Sequence, residues 1–401
     1  MRIHDGVRTC RSCDGDLVEV LDLGNQRLAD FRDDNEVPPA FPLRLMFCPA
    51  CGLAQLDTTV PRGLMYHERY GFKSGVNESI RADLKSVVAS TLGRVSPRSW
   101  LDIASNDGTL LSIVPPAVYR AGIDPVAKYC REAEAHADHV TNGFFHPKFY
   151  DHQKFDVVSS VSMFYDIDDP NEFVQGVKQV IAPNGVWVIQ QNYLGDTIRL
   201  NAVDNVCHEH ITYWSLYSLQ KLLHRHGLEV FDVEFSKVNG GCIRTFVARV
   251  GTREVDDRVA EHVAYELLNL GLASVNPFKA WSERVRSRLD ALRAYVDGAN
   301  DRGDCVAIYG ASTRGGTVWQ AAGFTDLDFA YAVDRNPEKV GKTMSTLGVP
   351  IVSEGVARDD HPEHMVVSIW FFRDEIVKRE ADYLAAGGKL VFAFPDFEVV
   401  G

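Results

Sequence analysis

The sequence predicts an α/β protein in three parts: a small zinc-binding N-terminal domain, a central doubly wound sheet and a C-terminal Rossmann-like α/β domain. Three observations predict it. Two CxxC pairs, Cys10/Cys13 and Cys48/Cys51, stand within the first 60 residues. Strand and helix patterns alternate from Trp100 to Val250. A further α/β unit starts at Cys305-Val306-Ala307-Ile308-Tyr309-Gly310 and runs to the end. The expected boundaries are 1–63, 64–251 and 252–401, the last including a helical linker.

Composition bounds the rest. A chain of 401 residues is too long for one ordinary core and long enough for two or three. With 45% apolar and 24% charged residues it is globular in type. A formal charge of −13 argues against duplex nucleic acid or an anionic membrane as the main partner. No apolar run approaches the roughly 20 residues of a membrane span. The start, Met1-Arg2-Ile3-His4-Asp5, has no apolar leader, so a cytoplasmic protein is expected. The oligomeric state is left open.

The elements follow in order. Each CxxC pair can chelate one face of a tetrahedral ion, and four thiolates fill the coordination sphere of zinc, which makes the expected role structural. A region of about 60 residues has little core of its own, so metal ligation would supply folding energy. Residues 64–95 are polar and helical in pattern, opening on an aromatic-rich segment from Tyr66 to Gly75 that contains Tyr70, Lys73 and Ser74. Expected strands are Trp100–Ile103, Tyr119–Asp124, Phe155–Ser160 and Gly185–Gln190, with helices at Asn171–Ile181 and Leu216–Gly227. Leu228–Phe235 and Cys242–Val250 read as an edge hairpin. Residues 252–300 read as packing or linker helices, with apolar spacing at Leu289, Leu292 and Val296.

The turn Asp102-Ile103-Ala104-Ser105-Asn106-Asp107-Gly108 joins the first of these strands to a helix. Such a turn lets the backbone approach a ligand, and the helix N-terminus favours anionic groups. Asp124 ends the next strand, where an acid can accept from both ribose hydroxyls. Ala104 and Asn106 stand where GxGxxG has glycines, which suits S-adenosylmethionine better than NAD. Asn142, Gly143 and Phe144 are placed to border an adenine. A tight turn with no ligand is the competing reading.

Cys207-His208-Glu209-His210 puts an acid and two imidazoles in one loop. Two exposed loop histidines, or a metal set of Cys207, His208 and His210, compete with an acid–base role. In the last unit a glycine-rich turn from Gly310 to Gly316 carries Arg314 and is followed by Asp334 and Lys342, a set suited to a diphosphate. A Rossmann-like repeat that only packs competes here.

With these residues placed, the chain resembles the nucleotide-sugar C-methyltransferases of deoxysugar biosynthesis over nearly its whole length. The resemblance rests on the four cysteines, Tyr70-x-x-x-Ser74-Gly75, Ser105-Asn106-Asp107-Gly108, Glu209-His210, and Gly310-Ala311-Ser312-Thr313-Arg314-Gly315 with Asp334-x-Asn336-Pro337. It implies a zinc domain, a class I methyltransferase domain using S-adenosylmethionine, and a Rossmann-like domain that helps hold a nucleotide diphosphate. It implies methylation of a carbon beside the ketone of a nucleotide-linked keto sugar, with His210 as base, Glu209 as its partner and Tyr70 lining the sugar site. Tyr70 or His208 is then the expected donor to an enolate oxygen, and Tyr66, Lys73, Ser74 and Asp166 the expected substrate contacts. Two positions depart from the family: Cys207 stands for its tyrosine, and Asp166 stands near its histidine. Methyl transfer to oxygen or nitrogen, a non-catalytic sugar-nucleotide binder and an NAD-dependent oxidoreductase remain competing classes.

Overall fold

A computed structural model describes residues 7–33, 36–67 and 71–401. The N-terminal sheet is antiparallel, built from Val18–Arg27, Ala40–Phe47 and Ala54–Leu56. Ala40–Phe47 alternates as a half-buried strand should: Phe41, Leu43, Leu45 and Phe47 enter the core and the residues between them do not. The fourth strand of this sheet comes from far along the chain, Thr212–Tyr213 paired with Ala54 and Gln55.

The four cysteines converge beside this sheet. Their sulfurs all lie within 4.8 Å of one another. Cys10 and Cys51 are 3.5 Å apart and Cys13 and Cys48 3.6 Å. A tetrahedral zinc with bonds of about 2.3 Å needs sulfurs roughly 3.8 Å apart, so the set fits the ion. Hydrogen bonding within the cluster, chiefly between Cys10 and Cys51, lowers the Cys51 thiol and raises Cys10, so the four sulfurs share their protons as one set. Gly15 is dictated by this centre, since a Cβ there would meet the sulfurs of Cys13 and Cys48 at 3.3 Å.

The central sheet runs Leu228–Ser236, Cys242–Arg249, Ile181–Asn192, Phe155–Val161, Ser99–Ile103, Tyr119–Asp124, His139–Asn142. The five strands from Ile181–Asn192 to His139–Asn142 are mutually parallel, and Cys242–Arg249 is antiparallel. From Ser99–Ile103 the chain winds first one way and later the other. The carboxyl end of that strand is therefore a switch point, where a doubly wound sheet leaves a crevice.

The C-terminal sheet has a parallel centre of Lys389–Phe392, His364–Val367, Val306–Tyr309, Ala332–Val333 and Val349–Val352. Its far edge is again borrowed: Phe31–Arg32 pairs with Thr343–Met344. The first 66 residues and the last 100 are thus stitched together by main-chain pairing. The helix Asn276–Arg302 lies along the seam. It buries Phe278, Trp281, Val285, Leu289, Leu292, Val296 and Ala299, a single stripe of three- and four-residue steps that includes the three apolar positions read from the sequence. The helical reading of 64–95 holds only for Glu78–Leu92, which starts at an Asn77 cap accepting from the Ser79 N–H. Residues 71–77 form turns instead, for a reason given below. No helix among the described residues is long and apolar enough to cross a membrane.

One polar contact fixes the C-terminal domain over the central one. Asp204 is fully buried. Its carboxylate accepts from Arg314 at 2.5 Å and from the Trp370 indole at 3.0 Å. The same guanidinium donates to the Asn239 carbonyl at 3.0 Å.

Two outcomes are expected. Purified protein should contain one zinc per chain, and Cys48→Ala should lose the metal and melt at a lower temperature; full zinc with unchanged melting would refute the assignment. Arg314→Met should destabilise by about 3–5 kcal/mol in denaturant titration, because it strands a buried carboxylate.

Candidate active site

The crevice at the switch point holds a cavity of about 460 Å³. Its floor is the turn after Ser99–Ile103, where Ala104 and Asn106 both adopt left-handed backbone (φ 60° and 49°). Asp102 lies at its base, its carboxylate accepting from Ser159, whose hydroxyl accepts in turn from the Trp100 indole at 2.8 Å. Burial pushes the Asp102 carboxyl up to about 7. Asp124 enters from the next strand and receives the N–H groups of Asn106 at 2.9 Å and Val126 at 2.8 Å. A carboxylate has about four lone-pair sites, so both oxygens keep capacity for ligand hydroxyls. Phe144 and Phe149 line the cavity with rings 44% exposed, offering flat apolar faces to a base. An acid for the ribose, aromatic faces for the adenine and a helix-opening turn together fit S-adenosylmethionine.

The expected cofactor residues divide. Asp102, Ala104, Asn106, Asp124 and Phe144 line this cavity; Asp107, Gly108 and Asn142 do not. Asn142 donates to the Asp124 carbonyl at 3.0 Å and so braces the acid from behind. Gly108 is needed for packing, since a Cβ there would come within 2.8 Å of the Ala133 Cα. Asp107 receives the Gly75 N–H at 2.9 Å, and Asn106 receives the Ser74 N–H at 3.0 Å and donates to the Phe72 carbonyl at 3.1 Å. The two motifs therefore clamp each other. This is why residues 71–77 are not helical: their backbone groups are spent on the turn below, and they roof the cavity with Phe72 and Ser74.

A second cavity of about 940 Å³ lies between the central and C-terminal domains. Cys207, His208, Glu209 and His210 line one wall, and Gly310, Ser312, Thr313, Arg314 and Asp334 the other. Lys73 lines it too, paired with Glu132 at 2.6 Å. Lys342 does not; the lysine present is Lys339, which donates to the Ala311 carbonyl at 2.7 Å and pairs with Asp334 at 3.2 Å. Tyr66 belongs to the smaller cavity, edge-on to Phe144. Tyr70 lies outside the described residues.

The histidines have distinct attachments. His208 Nε2 donates to the Phe41 carbonyl at 3.2 Å, which ties the loop to the N-terminal sheet and leaves this ring a structural task. His210 Nδ1 donates to the Asn205 carbonyl at 2.9 Å, so its Nε2 keeps a lone pair. The Tyr165 ring packs on it at 4.2 Å. Burial, followed by the nearby Arg314 charge, lowers His210 to about 3, which keeps it neutral. The expected Glu209–His210 partnership is not formed: the orienting group is the Asn205 carbonyl, and Glu209 interacts with Cys207 and Asp166. Burial and then the Glu209 charge hold the Asp166 carboxyl well above the usual carboxylate range.

Sequence reasoning missed Asn239, which lines both cavities at a left-handed φ of 53°. The signal was available in Asn239-Gly240-Gly241, a turn signature. A Cβ on Gly240 would press on Trp370 at 3.1 Å, so the turn is shaped by the domain above it. Asp83, Ser162 and Met163 also line the smaller cavity and carried no signal.

Replacing Asp124 with alanine should weaken S-adenosylhomocysteine binding by about 1.5–3 kcal/mol in titration calorimetry, the worth of charge-assisted hydrogen bonds; unchanged affinity would count against the cradle.

Comparison with known proteins agrees with this geometry. Three family models match in succession: "Putative zinc binding domain" over 10–66, "Methyltransferase domain" over 76–233 and "C-methyltransferase C-terminal domain" over 237–395. The C-methyltransferase NovU of Streptomyces niveus is 28% identical over 408 residues, covering 98% of this chain and 96% of that protein. Among solved structures, an S-adenosylmethionine-dependent methyltransferase from Clostridium acetobutylicum aligns with 44% of this chain and 94% of its own, at 14% identity and a TM-score of 0.36. The magnesium protoporphyrin IX methyltransferase of Synechocystis, with bound S-adenosylhomocysteine, aligns with 44% and 90% at 13% identity and a TM-score of 0.35. With its four-cysteine zinc site, its doubly wound cofactor sheet and all three models matched in order, the chain is an S-adenosylmethionine-dependent methyltransferase, similar over nearly its whole length to a C-methyltransferase.

Proposed function

We propose that the protein transfers a methyl group to a carbon beside the ketone of a nucleotide-linked keto sugar. One observation carries this reading: the two cavities adjoin, sharing Phe72, Ile80, Ser162, Asp166 and Asn239 as lining residues. The smaller suits the cofactor. The larger has the volume for a nucleotide-linked sugar, and its far wall offers the Gly310–Gly316 turn with Arg314, Lys339 and Arg379 for a diphosphate. Bound S-adenosylmethionine supplies an electrophilic methyl group. A carbon acid must lose a proton to attack it. His210 is suited to take that proton at Nε2, because the ring is neutral and its orientation is set from Nδ1 by the Asn205 carbonyl. That carbonyl also favours the imidazolium that forms. Methyl transfer to oxygen or nitrogen needs no C–H removal, and the name of the full-length relative, a C-methyltransferase, favours carbon.

His210→Asn should slow methyl transfer by ~10²–10⁴-fold while sparing cofactor binding. In deuterated water with S-adenosylhomocysteine in place of the methyl donor, the wild type should exchange the proton beside the keto group. Wild-type exchange in the His210→Asn variant would transfer the base role to another residue.

A further inference from the structure

Asp166 is the titratable residue among the five that line both cavities. It stands where the cofactor's methyl end and the acceptor must meet. Its carrier turn is rigid. Phe164 is buried between Trp187 and Trp214, the Tyr165 carbonyl accepts from the Ile211 N–H at 2.8 Å and the Thr212 hydroxyl at 3.2 Å, and the Asp166 N–H donates to Met163 at 3.0 Å. The carboxyl has one withdrawn oxygen, Oδ1, with no hydrogen-bond partner among the described residues. A buried polar atom without a partner is costly, and a site that tolerates one is shaped for something that satisfies it.

The neighbours decide what that something is. Glu209 faces Asp166 from the loop opposite, with Cys207 beside it, and the Tyr66 hydroxyl comes within hydrogen-bonding reach of the Asp166 carboxyl from the N-terminal connection. Tyr165 and Tyr213 flank the same space, and His210 packs on Tyr165. The cation that acts on Cys207 and His210 is Arg314, which is bound to Asp204. Neither Asp166 nor Glu209 forms an ion pair among the described residues. Two withdrawn carboxyls that act on each other without a cation between them resist double ionisation, which favours a shared proton on the pair. His210 is already a neutral acceptor, His208 Nε2 is committed to the Phe41 carbonyl and the Cys207 thiol to Glu209, which leaves no strong uncommitted side-chain donor in the loop for an oxygen that becomes negative.

We propose that Asp166 donates its carboxyl O–H to the substrate's carbonyl oxygen and holds the enolate through the reaction. The role rests on the enolate reading given above. In balance, the C–H proton passes to His210 Nε2, the C–H electron pair becomes the C=C bond, and the carbonyl π pair moves to the oxygen facing Asp166. The C=O bond then re-forms as the carbon takes the methyl group and the sulfur leaves as a neutral thioether. The O–H of Asp166 is lent and not transferred. Burial beside Glu209 raises the carboxyl well above the usual carboxylate range, so the O–H form persists to higher pH than in a free carboxyl and is lost as the pH rises further.

The test uses a thymidine diphosphate-linked keto-deoxyhexose as probe, with full-length protein of verified zinc content and S-adenosylhomocysteine affinity. Asp166→Ala should lower both methyl transfer and proton exchange by about 10²–10³-fold, as when an oxyanion donor is removed. Asp166→Asn keeps a neutral donor of similar shape, so it should retain activity within about tenfold and lose the alkaline fall of the wild-type rate profile. Equal damage from alanine and asparagine would overturn the role, because the working form would then be the carboxylate. Wild-type exchange with an unimpaired Asp166→Ala would also overturn it and leave the enolate reading standing. A wild type that methylates oxygen or nitrogen without exchanging the carbon-bound proton would overturn the enolate reading itself.

Discussion

The buried carboxylate of Asp204 is the contact on which the active-site geometry depends. It sits in the loop that leads to His210, and both of its described side-chain partners, Arg314 and Trp370, belong to the C-terminal domain. A buried charge tolerates no slack, because leaving it unpaired costs several kcal/mol. The contact therefore sets how far the C-terminal turn stands from the histidine loop, and with it the width of the larger cavity. Arg314 does a second thing from the same position: its charge helps keep His210 unprotonated. Interdomain contact and the protonation of His210 are coupled through one guanidinium, which is already committed to Asp204 and the Asn239 carbonyl.

Around that latch the domains are interwoven. The N-terminal sheet takes a strand from residues 212–213 and lends one at 31–32 to the C-terminal sheet. Linear boundaries do not capture this, since each exchange places backbone hydrogen bonds across the seam. The zinc centre anchors one end of the interwoven segment, and His208 ties the histidine loop to the strand beside it through the Phe41 carbonyl. Metal, sheet and loop thus form one mechanical unit behind the substrate cavity.

The histidine loop also shows how differently the members of one short motif are attached. In Cys207-His208-Glu209-His210, one imidazole is used for structure, the other has a free ring nitrogen, and the acid turns away from the histidine beside it toward a different carboxyl. The departures from the family at Cys207 and Asp166 fall together in space. A thiol stands beside Glu209 where the family resemblance implies a phenol, and an acid faces it where the resemblance implies an imidazole.

By itself the sequence determined the elements and their chemistry. Thiolate spacing specified a tetrahedral metal site, the strand-to-helix alternation specified a doubly wound sheet with its crevice after Ile103, and the apolar steps at Leu289, Leu292 and Val296 specified a buried helix face. These follow from local periodicity and from ligand geometry, which need only neighbours in the chain. Tertiary structure decided which polar residues face the ligands. Asp107 and Gly108 are consumed by the 71–75 roof and by Ala133, Asn142 braces Asp124 from outside, and Lys339 lines the cavity where Lys342 was expected. Asn239 reaches both cavities only because the C-terminal domain folds over its turn. A side chain's direction and its competing hydrogen-bond partners are set by segments distant in sequence, and no spacing rule within one segment contains that information.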